Sequence, residues 1–416
     1  MIKNLSNKIY FLLLVFFIAP YGFGFSFIPG LQSFDLPKII PFVLFIIFLL
    51  KSNFKKSDSV PLLFLFFIFL HFLSVFYSPN INISLVNFFS SLFLFYPGFF
   101  IVFIFINSEN SIKRLLYNIN ITVILYIIFS ITEFVFQFNF FDLIRNNYVN
   151  ANNSFNNNLG MVRLGLKASM GPFASTLPFA YSFACLFFLK DLYLPEFLKG
   201  KIKSILFQLL GFIAIVFTLS RAAVLTVITI LILQNIFKQK FIKTLNFIIF
   251  SSIMVLFTYQ QIKQSPFENY INNYVLNIFS DETNGSDNRI NNNKIDLTFA
   301  LESPVIGHGA GSLYQEKIGL RDSTLTSSDS SFLIYIFGDR GLLSLMVFLI
   351  IILITTKRCL FLIKNYKDRF NYKSLLYAFI VLFVCINSSH RQEVLFLFFL
   401  LIGLINKIYI LNKKSC

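Results

Sequence analysis

Long apolar runs recur along this chain, most of them close to the length that crosses a bilayer. A transmembrane α-helix needs about 20 mostly apolar residues. Segments that alternate polar and apolar residues, as transmembrane barrels require, are absent from the sequence. The pattern predicts an all-α polytopic integral membrane protein with about 12 transmembrane helices. The predicted spans are 9–28, 36–50, 60–77, 85–106, 118–139, 171–189, 204–219, 222–237, 243–259, 331–355, 374–388 and 393–411.

The composition agrees with a membrane protein. Of the 416 residues, 56% are hydrophobic and only 13% are charged, whereas charged residues make up about 25% of a typical soluble domain. The first apolar run follows Lys3 and Lys8. It is too long for a signal-peptide core and no small-residue cleavage site follows it, so we interpret it as a first span. The four cysteines lack CxxC spacing and the three histidines are dispersed, so neither a disulfide framework nor a metal site is expected.

The charge distribution predicts how the chain is oriented in the membrane. The formal net charge is +16, from 35 Lys and Arg against 19 Asp and Glu, and such an excess suits nucleic acid, anionic lipid or an anionic substrate. With a cytoplasmic N-terminus, however, almost all of the excess falls in alternate loops, as between Lys357 and Lys373. Cytoplasmic loops of membrane proteins collect Lys and Arg. We therefore expect both termini in the cytoplasm and no nucleic-acid partner.

Two of the predicted outer loops are long and polar, which separates this chain from a typical transporter. Transporters keep their ionisable groups near the midplane of the membrane. Here the polar groups are concentrated in the outer loops, which favours chemistry at the external face of the membrane that the chain spans. The predicted organisation is 1–139, five N-terminal transmembrane helices; 140–170, a first long periplasmic loop; 171–259, four transmembrane helices with the Ser220-Arg221 hairpin; 260–330, a large periplasmic loop with short helices; and 331–416, three C-terminal transmembrane helices and a cytoplasmic tail.

A few cations lie on the predicted outer side despite the bias toward the inside. Arginine makes planar, bidentate contacts to phosphate, so several converging arginines would hold a lipid pyrophosphate. A single outer arginine also suits a lipid-headgroup anchor or a surface salt bridge. For Arg221 the anchor interpretation is weaker, because a Ser-Arg pair that interrupts two apolar helices has few solvated partners. The outer candidates are Arg163, Lys167, Arg221, Arg289, His390 and Arg391.

Polar residues inside the predicted spans favour structural roles. His71 is interpreted as a packed core histidine, and Asp339–Arg340 as a structural ion pair at a helix end. Glu133 lies near the outer end of its span, where an interfacial position would suit a carboxylate.

A glycine-rich turn, Ser303-Pro-Val-Ile-Gly307-His-Gly-Ala-Gly311, follows a run with helical character at Arg289–Leu301. Glycine permits close backbone approach to a ligand, but such turns are common and the phosphate-loop interpretation is weak. The position of His308 within this turn is equally consistent with a structural role in the turn and with a catalytic role.

The order of these motifs resembles the O-antigen polymerase and O-antigen ligase superfamily over about residues 160–345. Members share an Arg-Gly segment, a Ser-Arg-[Gly/Ala] hairpin, an Arg-led helix before a P-x-x-G-x-G-x-G turn, and an [HD]-[NS]-x-[YF]-L segment that leads into a span. The matching residues here are Arg163-Leu-Gly165, Thr218-Leu-Ser220-Arg221-Ala-Ala223, Arg289, Pro304 to Gly311, and Asp329-Ser-Ser-Phe-Leu333.

The resemblance implies a metal-independent membrane glycosyltransferase of the bacterial inner membrane that needs no cofactor. Its substrate would be an oligosaccharide on undecaprenyl pyrophosphate at the periplasmic face, with membrane lipids around it and a chain-length regulator and a flippase as further partners. Arg221 and Arg289 would act on the pyrophosphate in catalysis. Substrate-binding residues would be Arg163, Lys167, His390 and Arg391.

The resemblance favours the polymerase branch, because ligases carry His where this chain has Asp329. Asp329 would serve as the general base or as the N-cap of the following helix. His308 and His390 are alternative bases. The alternatives are an O-antigen ligase, which transfers the glycan to lipid A–core, and a polysaccharide flippase.

Overall fold

The computed structural model describes residues 24–25, 34–35, 43, 59–139, 162–163, 166–173, 176–195, 198, 200–236, 284–311, 331–366, 370–388 and 392–413. The predicted ninth span, and most of the first and second, lie outside these residues. Two pairs of two-residue antiparallel strands accompany the helices: β1 (Gly24–Phe25) with β2 (Phe34–Asp35), and β3 (Val162–Arg163) with β4 (Leu166–Lys167).

Helices dominate the described part of the chain. They are α1 (Ser59–Val75), α2 (Ile81–Leu94), α3 (Pro97–Phe105), α4 (Glu109–Phe136), α5 (Thr176–Leu189), α6 (Lys201–Phe217), α7 (Arg221–Ile236), α8 (Asn284–Glu302), α9 (Phe332–Asn365), α10 (Tyr372–Ser388) and α11 (Gln392–Lys413). A short 3₁₀ turn, Lys190–Leu192, follows α5. The helical run predicted within the large loop is therefore present as α8.

Four described helical segments have the length and composition to cross a membrane. They are Ile81–Phe103, Glu109–Phe136, Phe332–Asn365 and Val394–Lys413. Shorter apolar helices occupy Ser59–Val75, Ile202–Phe217, Arg221–Gln234 and Tyr372–Ser388. The count of twelve spans and their orientation remain predictions.

The fourth predicted span, 85–106, is broken into α2 and α3. Pro97 stands at the start of α3, and because proline has no N–H it interrupts the helical hydrogen-bond pattern. The break places Tyr96 between the two helices, where its side chain is 1% exposed. The apolar pattern alone shows a continuous run there, which is why one span was predicted.

The core is built from α5 and α11 surrounded by the other helices. Every residue of α5 is buried, and α5 packs against α4, α10 and α11. Aromatic rings fill the neighbouring layer: Phe64 of α1 stacks on Phe99 of α3 with a centroid distance of 4.2 Å, and meets Phe399 of α11 edge-on at 5.2 Å. Since lipid tails are as apolar as these side chains, close packing and buried hydrogen bonds hold such helices together.

One buried hydrogen-bond chain joins α1 and α9 through Tyr96. Nη1 of Arg340 donates to the Tyr96 hydroxyl at 2.9 Å, and that hydroxyl lies 2.7 Å from Nδ1 of His71. The tautomer of His71 sets which of the two groups donates in this second contact. His71 is thus a core histidine with a specific partner, and the Arg340 guanidinium lies 5.2 Å from the Phe67 ring centre.

The Asp339–Arg340 pair lies inside α9, not at its end. The helix is kinked directly after the pair at Gly341, whose φ of 75° and ψ of 178° are not helical. Although the pair lies inside α9 as a whole, it ends the first of the two helical segments that meet at this kink, so the predicted helix-end position is confirmed. A residue with a Cβ rarely adopts this positive φ, so the glycine permits the kink.

Tyr96→Phe tests the chain from Arg340 to His71. The substitution removes a hydroxyl that accepts from Arg340 and is hydrogen-bonded to His71, and it leaves a buried guanidinium N–H without that acceptor. We expect the free energy of unfolding to fall by about 1–3 kcal/mol, measured by thermal unfolding in detergent. Tyr77→Phe, at an exposed position just after α1, is the control. Equal thermal unfolding midpoints for Tyr96→Phe and Tyr77→Phe would contradict the hydrogen-bond chain from Arg340 to His71.

Candidate functional site

Arg221 is the first residue of α7 and follows a three-residue turn from α6. Leu219 in that turn has a left-handed φ of 51°. The first intrahelical hydrogen bond runs from the N–H of Val224 to the carbonyl of Ser220 at 3.0 Å, so the N–H groups of residues 221–223 face out of the helix end. The Arg221 side chain is exposed. The tight Ser-Arg hairpin expected from the sequence is therefore present.

The beginning of α7 has the features of an anion site. A helix N-terminus carries a partial positive charge and directs N–H groups at a ligand, and here it also carries a guanidinium. The Ser220 hydroxyl is buried and has no hydrogen-bond partner among the described residues. These donors suit the oxygens of a phosphate group.

The β3–β4 ladder brings a second pair of predicted binding residues toward the same end of the helices. Arg163 pairs with Leu166 and Val162 with Lys167. The chain then passes directly to Ser169, whose N–H donates to the carbonyl of Phe217 at 3.1 Å. Phe217 is the last residue of α6, four positions before Arg221. The segment that follows Lys167 is thus hydrogen-bonded to the base of the Arg221 turn.

Glu133 of α4 holds this segment. Its Oε2 accepts from the Ser169 hydroxyl at 3.0 Å, from the N–H of Met170 at 2.8 Å and from the N–H of Gly171 at 2.9 Å. Glu133 is 3% exposed, so it is buried within the protein, and its position at the membrane interface stays a prediction. We call Glu133, Ser169, Met170 and Gly171 the carboxylate clamp. The sequence signal for it was a carboxylate inside an apolar span.

A second set of contacts surrounds Ser331, at the beginning of α9. Its N–H donates to Oδ1 of Asn293 at 3.2 Å and its hydroxyl to Oδ1 of Asn387 at 2.9 Å. The N–H of Leu333 donates to the same Asn387 oxygen at 3.1 Å. We call these four residues the Ser331 junction. It ties together α8, α9 and α10, and the sequence analysis did not single out any of its members as a site residue.

The junction lies close in sequence to the other predicted site residues. Arg289 lies on α8 about 6 Å along the helix axis before Asn293, and its side chain lies outside the described residues. Asp329 is two residues from Ser331, a reach of about 7 Å at most. Asp329, His390 and Arg391 lie outside the described residues. The side chains of Arg163 and Lys167 do so as well.

Contacts between neighbouring helices link the part of the bundle that carries the Arg221 turn and the carboxylate clamp to the part that carries the Ser331 junction. Helix α7 packs against α10, and the side chain of Thr226, five residues after Arg221, neighbours that of Cys385 near the end of α10. The Tyr181 hydroxyl of α5 lies 3.1 Å from the Ser388 hydroxyl. Since α7 begins and α10 ends near these contacts, the Arg221 turn and Asn387 lie toward the same end of the helix bundle.

The glycine-rich turn does not form a phosphate cradle in this structure. Three N–H groups of the residues Ser303–Gly311, here called the glycine loop, are directed at α9. His308 N–H donates to the Gly338 carbonyl and Gly309 N–H to the Asp339 carbonyl, each at 2.9 Å. Gly311 N–H donates to Oδ2 of Asp339 at 2.7 Å. These donors are already used, so the loop serves to seat α8 on the kink of α9.

His308 is also held in place by its surroundings. Its Nε2 lies 2.7 Å from the Phe299 carbonyl and therefore donates to it. The imidazole stacks on the Phe299 ring with a centroid distance of 3.9 Å. One ring nitrogen and one ring face are committed to these contacts, which favours a structural role over that of a base.

Comparison with known families agrees with the motif order. Residues 206–349, which contain Arg221, Arg289, the glycine loop and the Ser331 junction except for Asn387, match the family model described as O-antigen ligase. The match covers about a third of the chain and supports membership of the O-antigen polymerase and ligase superfamily. The superfamily comprises membrane-associated glycosyltransferase-like enzymes that act on lipid-linked polysaccharide. No curated protein matches the chain at a significant level.

His308→Gln tests whether this histidine is structural. Glutamine keeps an N–H donor that can reach the Phe299 carbonyl but cannot act as a base near neutral pH. We expect glycan transfer by the purified enzyme to fall by less than about tenfold, since removal of a general base costs about 10²–10⁴-fold. His308→Ala, which removes both the donor and the stacked ring, should lower the melting temperature. A loss of a hundredfold or more in the well-folded Gln variant would make His308 the base.

Proposed function

We propose that this protein is a polymerase of surface polysaccharide in the bacterial inner membrane. It transfers the growing glycan from undecaprenyl pyrophosphate to a new lipid-linked repeat unit at the periplasmic face. The observation that carries the proposal is the hydrogen-bonded approach of the Lys167-bearing segment to the Arg221 turn. Two cation-bearing segments from distant parts of the chain meet at the open end of a helix, which suits a pyrophosphate.

The role of the arginines follows from the chemistry of the donor. The bond between the sugar C1 and the pyrophosphate oxygen is already activated, so no nucleotide, metal or other cofactor is required. As that bond breaks, negative charge develops on the leaving undecaprenyl pyrophosphate. Arg221, together with the N–H groups at the beginning of α7 and with Arg289, stabilises this charge. Arg163, Lys167, His390 and Arg391 bind the lipid-linked substrates.

The acceptor side requires a base. The terminal sugar hydroxyl attacks C1, a C–O bond forms, and the hydroxyl proton passes to Asp329. The Ser331 junction supports this assignment because it fixes the chain two residues after Asp329 against α8 and α10. The aspartate at this position, where ligases carry histidine, favours polymerase over ligase. A chain-length regulator and a flippase would work beside such a polymerase.

Arg221→Ala and Arg289→Ala should abolish long chains while leaving the amount of inserted protein unchanged. Loss of one donor to a developing anion lowers kcat by roughly 10²–10³-fold. Arg221→Lys should restore little, because the bidentate geometry is lost. Polymer length and rate are measured with purified enzyme and lipid-linked repeat units. Lys203→Ala, an exposed cation on α6 at the end opposite Arg221, is the control, and full-length polymer from Arg289→Ala would exclude its role.

The deletion strain separates the candidate functions of the whole protein. Loss of a polymerase leaves lipid A–core that carries one repeat unit, whereas loss of a ligase leaves bare core with lipid-linked polymer accumulating. Gel profiles of surface polysaccharide from the deletion strain distinguish these patterns. A flippase would give no polymer when the purified protein is mixed with lipid-linked repeats in detergent. We expect the single-repeat pattern in the strain and polymer from the purified protein.

A further inference from the structure

The carboxylate clamp is an unusual use of a buried acid. One oxygen of Glu133 accepts from two consecutive backbone N–H groups and from a hydroxyl, and the side chain is 3% exposed. Hydrogen bonds to a charged acceptor are about twice as strong as those between neutral groups. The clamp therefore holds Ser169–Gly171 more firmly than a neutral acceptor would.

The same segment is held at a second point by α4. Nδ2 of Asn139, just beyond the end of α4, donates to the Gly171 carbonyl at 3.3 Å. Gly171 has a positive φ of 52°, which allows the chain to turn from the clamp into the beginning of α5. The segment after Lys167 is thus fixed to α4 on both its N–H and its carbonyl side.

The clamp also reaches the Arg221 turn. The Phe134 ring, next to Glu133, stacks on the Phe217 ring with a centroid distance of 4.0 Å and an interplanar angle of 3°. The carbonyl of Phe217 accepts from Ser169. A single turn of α4 therefore contacts both the segment that follows Lys167 and the residue that ends α6.

We propose that Glu133 is a positioning residue that sets the distance between the Lys167-bearing segment and the Arg221 turn, so that both reach one pyrophosphate. This inference rests on the proposed function for its ligand. Glu133 touches backbone, not substrate, and acts through the chain that it holds. Without its carboxylate, the amides of residues 170 and 171 lose their acceptor, and the Lys167-bearing segment is no longer held at a fixed distance from the turn.

Three variants test the inference. Glu133→Ala removes the acceptor. Glu133→Gln keeps one acceptor oxygen and removes the charge. Ser130→Ala is the matched control, because Ser130 lies about one turn earlier on α4 and its hydroxyl donates to the buried Ala214 carbonyl of α6 at 2.6 Å. The control removes a buried hydrogen bond between α4 and α6 without touching the clamp.

The first measurement does not depend on enzyme activity. Hydrogen–deuterium exchange of the peptide that covers residues 168–173 is followed in detergent for all variants. Glu133→Ala should exchange at least about tenfold faster than wild type at Met170 and Gly171, since these amides lose their acceptor. The exchange rate of Glu133→Gln should lie between those of Glu133→Ala and wild type, and the rate of Ser130→Ala should match wild type. Unchanged exchange in Glu133→Ala would overturn the clamp itself.

The second measurement links the clamp to the substrate. For equal amounts of folded protein, Glu133→Ala should raise KM for the lipid-linked repeat about tenfold with kcat changed less than threefold, because binding geometry is lost and the reacting groups remain. Glu133→Gln should recover most of this loss. In a Lys167→Ala background, Glu133→Ala should raise KM little further, since both changes affect the same contact with the substrate.

The outcomes separate this inference from the proposed function. Faster exchange in Glu133→Ala with an unchanged KM would overturn the positioning role. So would a KM for Ser130→Ala as high as that for Glu133→Ala. In both cases, polymer synthesis by the wild-type protein would still support the proposed function. Loss of kcat in Glu133→Gln with intact exchange protection would show a role in the chemistry instead, and would also overturn it. If the wild-type protein made no polymer, the function would fail, and the positioning role for a pyrophosphate with it, whatever the exchange data show for the clamp.

Discussion

The break in α9 at Gly341 is the constraint on which much of the described structure depends. A helix that stops and restarts exposes backbone carbonyl and N–H groups, and at membrane depth water is not available to satisfy them. The glycine loop supplies the missing partners: His308 and Gly309 donate to the carbonyls of residues 338 and 339, and Pro304 accepts from Leu342 at 2.7 Å. The kink and the loop therefore require each other.

This dependence explains where the glycines are. At Gly309, which has a φ of 99°, an added Cβ would lie 2.6 Å from the Cα of Ser78. A side chain at that position would push the loop off both the kink and the end of α1. Since α8 leads into this loop, the loop also fixes the helix that carries Arg289. The motif serves to hold α8 against the bundle.

The sequence was informative where a single physical rule governs the local structure. Uninterrupted apolar runs predicted α4, α10 and α11 to within a few residues at most ends, although α4 begins earlier and α9 ends later than expected. The Ser220-Arg221 turn was predictable because the apolar runs on both sides of this polar pair are each long enough to form a separate helix. The break at Pro97 was missed because the residues around it are as apolar as those of a continuous span.

The candidate site was predictable only in part. The cations stood out because they violate the charge bias of membrane loops, and the superfamily motif order pointed to Arg221 and Arg289. The residues that position them did not stand out. Glu133 contacts residues 36 to 38 positions away, and Asn387 contacts Ser331 across 56 positions. Periodicity within one helix carries no information about such pairs, which arise from how separate helices pack.

The complete burial of α5 has a consequence for how a lipid-linked molecule can approach. This helix begins five residues after Gly171 and touches the end of α10 through Tyr181 and Ser388, so it forms a common wall of the clamp side and the junction side. A polyprenyl chain in the bilayer cannot lie along α5, because this buried helix presents no surface to the lipid. For the proposed lipid-linked substrate, the hydrocarbon tail therefore lies against helices other than α5.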